Sequence, residues 1–203
     1  MASQKEIKLR RQVALEAARI MARGSVQDFL AAKRKAVSRL GISEARFLPR
    51  NIEIKNALAD YQHLFQSETQ SNQLRSLRET ALEAMHFFSA YEPRLVGEVL
   101  DGIANQYSDV TLHLFSDTVE DVELYLMQKQ ISYITKQRRV RTHKDEYKQY
   151  PVFKIMAGDH CVELVVFPVN GLRQAPCSSV DDKPMGRASL ATVKTMISDA
   201  GRV

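Results

Sequence analysis

Residues 95–115, LVGEVLDGIANQYSDVTLHLF, decide the fold of this chain. The first five of them are mostly apolar and predict a short strand over 95–99, with Gly97 where the strand gives way to a turn. Gly102 follows five positions later. Apolar residues alternate over Val110–Phe115, which predicts a second strand because alternate side chains of a strand share one face. The segment therefore predicts two strands joined by a turn with glycines.

Polar residues of this segment predict a ligand-binding surface. A period of two places Asp109, Thr111 and His113 on the same strand face, where they would suit a metal ion or a phosphate group. Glu163 stands in the apolar run CVELVVF, where an ionised carboxylate is costly unless it is paired or binds a metal. Two carboxylates on neighbouring strands would suit Mg²⁺, which prefers oxygen ligands.

The region before Pro93 is predicted to be helical, because apolar residues recur there at helical spacing. Ser25 and Asp28 form a pair resembling a capping box for the second of four helices, and Asn51 is a candidate cap for the third. The polar stretch SETQSNQ predicts a loop or a frayed end before the fourth helix. The predicted inner face of the third helix consists of Ile54, Leu58, Tyr61 and Phe65.

The remainder of the chain predicts strands with two further helices. Thr118 and Asp121 form a candidate cap for a helix that ends near Gln128, and residues 131–140 predict a strand. HKDEYKQY is predicted to be a polar connection, and VFKIMAGDHCVELVVF predicts a hairpin that turns at Gly158 and Asp159. A final helix is predicted over 189–200. The fold class is therefore predicted to be α+β, with a helical region over 1–92 and a domain with a small mixed sheet over 93–203.

Composition and charge narrow the function classes. The 203 residues carry a net charge of +5 and include two cysteines, which match no metal-binding spacing and predict no disulfide framework. Residues 94–123 contain one basic and seven acidic residues, whereas residues 129–154 contain eight basic and two acidic ones. This order fits a site that holds a cation and phosphates, and two solvated faces are the alternative. No apolar leader or membrane-spanning run is evident, so a cytoplasmic protein without a membrane partner is expected.

The segment resembles the nucleotidyltransferase superfamily, the minimal fold shared with polymerase β, in a divergent bacterial branch. That family's pattern is a strand, Gly-Ser, a later Gly, and Ser-Asp-x-Asp opening the next strand, with a third carboxylate on a later strand. Glu163, in VELVVF, falls where the third carboxylate is expected, and the resemblance covers roughly residues 93–168. The positions that match the pattern without a gap are Gly97, Gly102, Ala104, Ser108, Asp109 and Leu112.

The resemblance implies roles for specific residues. Asp109 and Glu163 would be the catalytic carboxylates and would hold Mg²⁺, with Mn²⁺ as a substitute and His113 as a further ligand. The implied nucleotide-binding residues are Gly97, Glu98, Gly102 and Ser108. Two positions depart from the family's pattern, because Glu98 replaces its serine and Thr111 replaces its second aspartate.

Three functions are open on these grounds. The first is a nucleotidyltransferase-like protein with a degenerate site that binds a nucleotide or regulates a partner. The second is an active transferase that moves a nucleoside monophosphate from a nucleoside triphosphate to a hydroxyl of a protein, an RNA or a small molecule. The third is a nucleic-acid-binding protein that uses the basic run over 136–144. The loop over 170–187 is a candidate lid or docking surface.

Overall fold

The structure is a computed structural model, and it describes residues 4–24, 26, 28–42, 48–65, 67–142 and 146–200. These residues form seven α-helices and one five-stranded mixed sheet, which confirms the predicted α+β class. No helix in these ranges is long and apolar enough to cross a bilayer. The helices are α1 (Gln4–Ala22), α2 (Phe29–Leu40), α3 (Asn51–Phe65), α4 (Ser67–Phe87), α5 (Gly97–Asp101), α6 (Val119–Gln128) and α7 (Leu190–Ala200). The strands are β1 (Arg94–Val96), β2 (Val110–Phe115), β3 (Tyr133–Arg141), β4 (Tyr147–Ala157) and β5 (His160–Phe167).

The chain divides into two compact units. The helical unit comprises residues 1–72, 103–108 and 179–181, and the sheet unit comprises residues 73–102, 109–178 and 182–203. The helical unit is built on α1, whose many alanines allow α2 and α3 to pack closely against it. Its core also holds Gln62, which is 2% exposed and donates from Nε2 to the Ile103 carbonyl at 3.0 Å. This bond satisfies the Nε2 donor, which would otherwise be costly to bury, whereas Oε1 is buried without a hydrogen-bond partner among the described residues.

Helix boundaries in the helical unit differ from the prediction. Asp28 is itself the N-cap of α2 and accepts a hydrogen bond from the Ala31 amide at 2.8 Å, while Ser25 lies outside the described residues. α3 already includes Asn51, whose side chain donates to the Ser179 carbonyl instead of capping the helix. Phe65 does not belong to the inner face of α3, because it is 69% exposed at the end of the helix.

Four further local predictions differ from the structure, three of them in an element boundary and one in a capping bond. The stretch SETQSNQ is helical from Ser67 onwards, as its Glu and Gln residues allow. Val99 belongs to α5, so β1 is shorter than predicted. Thr118 is the N-cap of α6, but its side chain makes no capping hydrogen bond. Its carbonyl, and not its hydroxyl, accepts the Asp121 amide. The stretch HKDEYKQY contributes to β4 from Tyr147, and residues 143–145 lie outside the described ranges.

The sheet has the strand order β1-β2-β5-β4-β3. Only the pairing of β2 with β5 is parallel, and the others are antiparallel. The predicted hairpin is confirmed, because Ala157 pairs with His160 across the turn. Thr111, His113 and Phe115 lie on one side of the sheet, which we call the front face, and every second residue of the neighbouring strands shares it. The back face carries the buried Leu112, among other apolar residues, and His160 on this face lies 2.8 Å from Ser76 Oγ of α4.

β3 forms the outer edge of the sheet. Along its described length it pairs with β4 only, and at its end the Arg141 carbonyl accepts the Cys177 amide at 2.8 Å. Lys136 lies on the front face of this strand and Arg139 on the back face, and both are exposed. The Arg139 guanidinium stacks over the Tyr147 ring, 4.1 Å from its centroid.

The end of α1 provides a test of packing in the helical unit. Gly24 has a φ of +70°, and a Cβ there would lie 2.0 Å from Tyr107 Cδ2. Gly41, with a φ of +63°, has nothing within 4 Å of its added Cβ. We expect Gly41→Ala to lower the free energy of unfolding by about 1 kcal/mol, and Gly24→Ala to lower it by roughly 2–3 kcal/mol. Urea denaturation of both variants measures the difference.

The Tyr107 ring accounts for that difference. In a Tyr107→Ala background, the cost of Gly24→Ala is expected to fall to about that of Gly41→Ala, because only the backbone term is left. Equal costs for Gly24→Ala in both backgrounds would contradict this assignment.

Candidate functional site on the front face of the sheet

The front face brings the two predicted catalytic carboxylates onto neighbouring positions of the sheet. Asp109 immediately precedes β2, and Glu163 lies in β5, the parallel neighbour of β2. Thr111 is opposite Glu163 in this register, so Asp109 and Glu163 project from the same side of the sheet. On β1, the strand that pairs with β2 at its other edge, Val96 is opposite Thr111. Gly97 follows Val96 and therefore lies at the same end of the sheet as Asp109.

Each carboxylate is bound by a basic side chain that reaches across one intervening strand. Lys154 of β4 reaches past β5, and its Nζ donates to Asp109 Oδ2 at 2.6 Å. Arg138 of β3 reaches past β4 and donates from Nη2 to Glu163 Oε2. Lys154 is also opposite Glu163 in the register, so acidic and basic groups alternate across the face. We call Asp109, Lys154, Glu163 and Arg138 the ion-pair quartet.

The quartet is only partly shielded from water. The side chain of Glu163 is 13% exposed, and those of Asp109 and Lys154 are 31% and 28% exposed. The hydrogen bond to Asp109 raises the pKa of Lys154, against the effect of burial, so this amine is fully charged at neutral pH. The quartet is therefore a set of ion pairs that a dissolved ligand can reach.

Cys161 lies on the same face, two residues before Glu163. Burial raises the pKa of its thiol, and the charge of Asp109 adds to this effect. The thiol is therefore protonated at neutral pH and is a poor nucleophile. His160 is on the back face, where its Nε2 lies 2.8 Å from Ser76 Oγ, so its ring does not face the Cys161 thiol.

The other half of the front face is apolar and is covered by the chain that follows β5. Phe115, Val165 and Phe167 are buried there together with Val152 of β4, and Leu172 packs against them. Part of the loop over 170–187, the predicted lid or docking surface, forms this cover. Within the sheet unit, the loop closes the apolar half of the face and leaves the quartet half accessible.

Arg187 fastens this loop to β2. Its Nε donates to His113 Nδ1 at 3.1 Å, and its Nη1 donates to the Gly171 carbonyl at 2.7 Å. Its guanidinium lies over the rings of Phe115 and Phe167, 5.0 and 5.4 Å from their centroids. Nη2 is buried and has no hydrogen-bond partner among the described residues.

The contact between Arg187 and His113 fixes the protonation state of the imidazole. Burial, followed by the charges of Arg187 and Arg138, lowers the pKa of His113 to about 3. Burial also lowers the pKa of Arg187, to about 10, with the Arg94 charge adding to the effect. At neutral pH the imidazole is therefore uncharged and accepts a hydrogen bond from a charged guanidinium.

Two of the residues with a predicted role in nucleotide binding have visible structural roles. Gly102 ends α5 as its C-cap with a φ of +77°, and its amide donates to the Glu98 carbonyl. Ser108 is 7% exposed and belongs to a turn of the helical unit, where its Oγ accepts the Asn105 amide at 3.0 Å. Gly97 is the first residue of α5 with a φ of +74°, and an added Cβ there would meet nothing within 4 Å. Of these residues, Gly97 has the most open surroundings.

As arranged, the described residues do not fit the magnesium site that the resemblance implies. No group of three or more His, Cys, Asp and Glu side chains in these ranges is placed to hold a metal ion. Asp109 and Glu163 each give an oxygen to a cation of the quartet. Four residues of strand, roughly 13 Å, separate His113 from Asp109, which is too far for one shared ion. Magnesium binding stays a prediction, and this arrangement argues against it.

Sequence reasoning missed three basic residues that define this face. Arg138 and Lys154 belong to the basic segment over 129–154, but their partners depend on a strand register that the sequence does not specify. Arg187 comes from a loop without periodicity. Its only sequence signal was a long polar loop that follows an apolar strand.

Comparisons with known proteins assign no family to this chain. No protein-family model matches the sequence, and a search of curated proteins gives no match.

Proposed function

We propose that this chain is a nucleotidyltransferase-like protein that binds a nucleotide on the front face and does not transfer the nucleotidyl group. The order of β1, Gly97, α5 and β2 supports the proposed likeness, as does the position of Glu163 on the parallel neighbour of β2. Such a protein would act as a regulatory or partner-binding module.

The observation that carries the proposal is the ion-pair quartet. Transfer of a nucleotidyl group depends on carboxylates that hold metal ions against the triphosphate. Here Asp109 and Glu163 are bound by Lys154 and Arg138, and the position of the family's second aspartate holds Thr111. An arrangement of this kind favours binding of a ligand over transfer.

The charge of the front face favours an anionic ligand. In addition to the quartet, its strands carry Arg94, Lys136 and Lys148, which are basic and partly or fully exposed. Basic side chains thus outnumber Asp109 and Glu163 on the strands of this face. Phosphate oxygens, which accept several hydrogen bonds at once, are the chemistry that such a surface attracts.

A thermal-shift titration tests nucleotide binding. Saturating nucleoside triphosphate is expected to raise the melting temperature by several degrees, since a ligand at 100 times its Kd stabilises the folded state by about 2.7 kcal/mol. Lys154→Glu is expected to weaken binding at least tenfold, because it replaces a cation of the quartet with an anion. Lys194→Glu, which changes the net charge equally on the exposed side of α7, serves as the control.

Two other outcomes would replace the proposal. A labelled product formed from labelled nucleoside triphosphate in a lysate, and lost in Asp109→Ala, would make the chain an active transferase. Retention on RNA with a steep dependence on salt, without any response to nucleotides, would favour nucleic-acid binding through the exposed basic residues of β3 and β4.

A further inference from the structure

We propose that the front face binds its anionic ligand without a divalent metal ion, because Lys154 and Arg138 neutralise the carboxylates that a metal ion would otherwise neutralise. The nucleotide part of this inference rests on the proposed function, whereas the metal part concerns the quartet alone. The two parts are measured separately below.

The geometry of the Lys154 contact is the first step. Its Nζ lies 2.6 Å from Asp109 Oδ2, which is short even for a charge-assisted hydrogen bond between an ammonium group and a carboxylate. A Mg²⁺ ion bound to the same carboxylate would lie about 2.1 Å from an oxygen, and so within a few ångströms of this ammonium group. The repulsion between the two cations would oppose binding, unless Lys154 withdrew from a position that its own hydrogen bond stabilises.

Arg138 places the same obstacle at Glu163. Its guanidinium binds Glu163 Oε2, and the side chain of Glu163 is more shielded from water than that of Asp109. Shielding strengthens the interaction of charges. A metal ion at Glu163 would therefore either be repelled by the guanidinium beside it or have to break the ion pair between Arg138 and Glu163. Both carboxylates therefore meet a resident cation before they meet a dissolved one.

The surroundings offer a metal ion little compensation. Cys161, which precedes Glu163 by two residues on the same face, offers a sulfur atom, whereas Mg²⁺ prefers oxygen ligands. Thr111, opposite Glu163, presents a neutral hydroxyl where a carboxylate would have supplied a second charge. The basic residues Lys136 and Arg94 on the same face attract anions. An anionic ligand thus meets positive charge without the help of a metal ion.

Direct binding of Mn²⁺ to the protein without nucleotide tests the metal part. Electron paramagnetic resonance is expected to show no site with a Kd below about 1 mM in the unmodified chain. The double variant Lys154→Met, Arg138→Met is expected to bind Mn²⁺ at least tenfold more tightly, and adding Asp109→Asn is expected to abolish that gain. Lys136→Met, which removes an exposed cation of the same face, is the matched control and should leave Mn²⁺ binding unchanged.

Either of two results overturns the metal part. One is a submillimolar Mn²⁺ site in the unmodified chain that disappears in Asp109→Asn. The other is a folded double variant, verified by circular dichroism, that gains no affinity for Mn²⁺. If the double variant does not fold, Lys154→Met alone answers the question, since Lys154 is partly exposed and its removal frees Asp109.

Calorimetric titration with ATP tests the nucleotide part. The Kd with excess EDTA is expected to lie within about threefold of the Kd with Mg²⁺. Binding that weakens tenfold or more in EDTA would overturn the inference while leaving the proposed function intact. Absence of binding under both conditions would remove the proposed function and with it the nucleotide part, and the Mn²⁺ experiment would then decide the metal part by itself.

Discussion

Replacing Arg187 with methionine is expected to lower the free energy of unfolding by about 3 kcal/mol. The change removes the donors to His113 and to the Gly171 carbonyl, which lie in a part-buried setting. It also removes the guanidinium from above the rings of Phe115 and Phe167. Methionine has a comparable length and can cover the same apolar surface, so the measured loss reports mainly on the polar contacts.

Arg173→Met is the matched control for this experiment. Arg173 lies in the same region of the chain and is exposed, so its replacement is expected to change the free energy of unfolding by no more than about 0.5 kcal/mol. Chemical denaturation with urea gives both values. A loss below about 1 kcal/mol in Arg187→Met would contradict the role of Arg187 in fastening the loop.

Lowering the pH from 8 to 5 is expected to cost the protein about 2 kcal/mol of stability through His113 alone. The pKa of the folded state is lowered to about 3 from an ordinary value of 6.5, chiefly by burial and then by the charge of Arg187. Between these two values the unfolded chain binds a proton that the folded chain does not. Stability is therefore complete above about pH 6.5 and falls as the pH decreases below it.

His113→Asn isolates this effect, because an asparagine oxygen can accept the Arg187 hydrogen bond and does not titrate. The variant is expected to lose most of the slope between pH 6.5 and 5, as measured by urea denaturation across that range. The range avoids the titration of Glu53. Burial raises the pKa of this carboxyl, but its contacts with Arg10 and Arg50 outweigh burial and lower the pKa overall. The stability that Glu53 contributes is therefore lost only below about pH 4.5. An unchanged slope in His113→Asn would refute the assignment.

The sequence predicts the sheet better than it predicts the contacts across it. Alternation places Val110–Phe115 correctly, and the turn at Gly158 is correctly predicted because glycine and aspartate there separate two apolar runs. The stretch 95–99 is misleading, since its apolar residues suit a strand as well as a short buried helix. The polar residues from Ser67 onward show no helical spacing of apolar residues, yet α4 begins at Ser67. A helix that packing stabilises further along its length can extend through such residues.

The partners of the candidate site depend on information that local patterns do not contain. Asp109 and Glu163 were expected to lie near each other, and the parallel register of β2 and β5 places them on one face. Which cations meet them depends on how β3 and β4 align with β5. A shift of one residue in that register would turn Lys154 and Arg138 to the back face. Arg187 reaches His113 through a loop that no periodicity describes.

The outer position of β3 has a consequence for self-association. A strand with a free edge is a template for pairing with a second copy, and such pairing leads to aggregates. Lys136 and Arg139 would then lie near identical cations on the added strand, and like charges in neighbouring strands repel. The basic run that first suggested a nucleic-acid contact therefore protects the solubility of the chain, and this benefit requires no ligand.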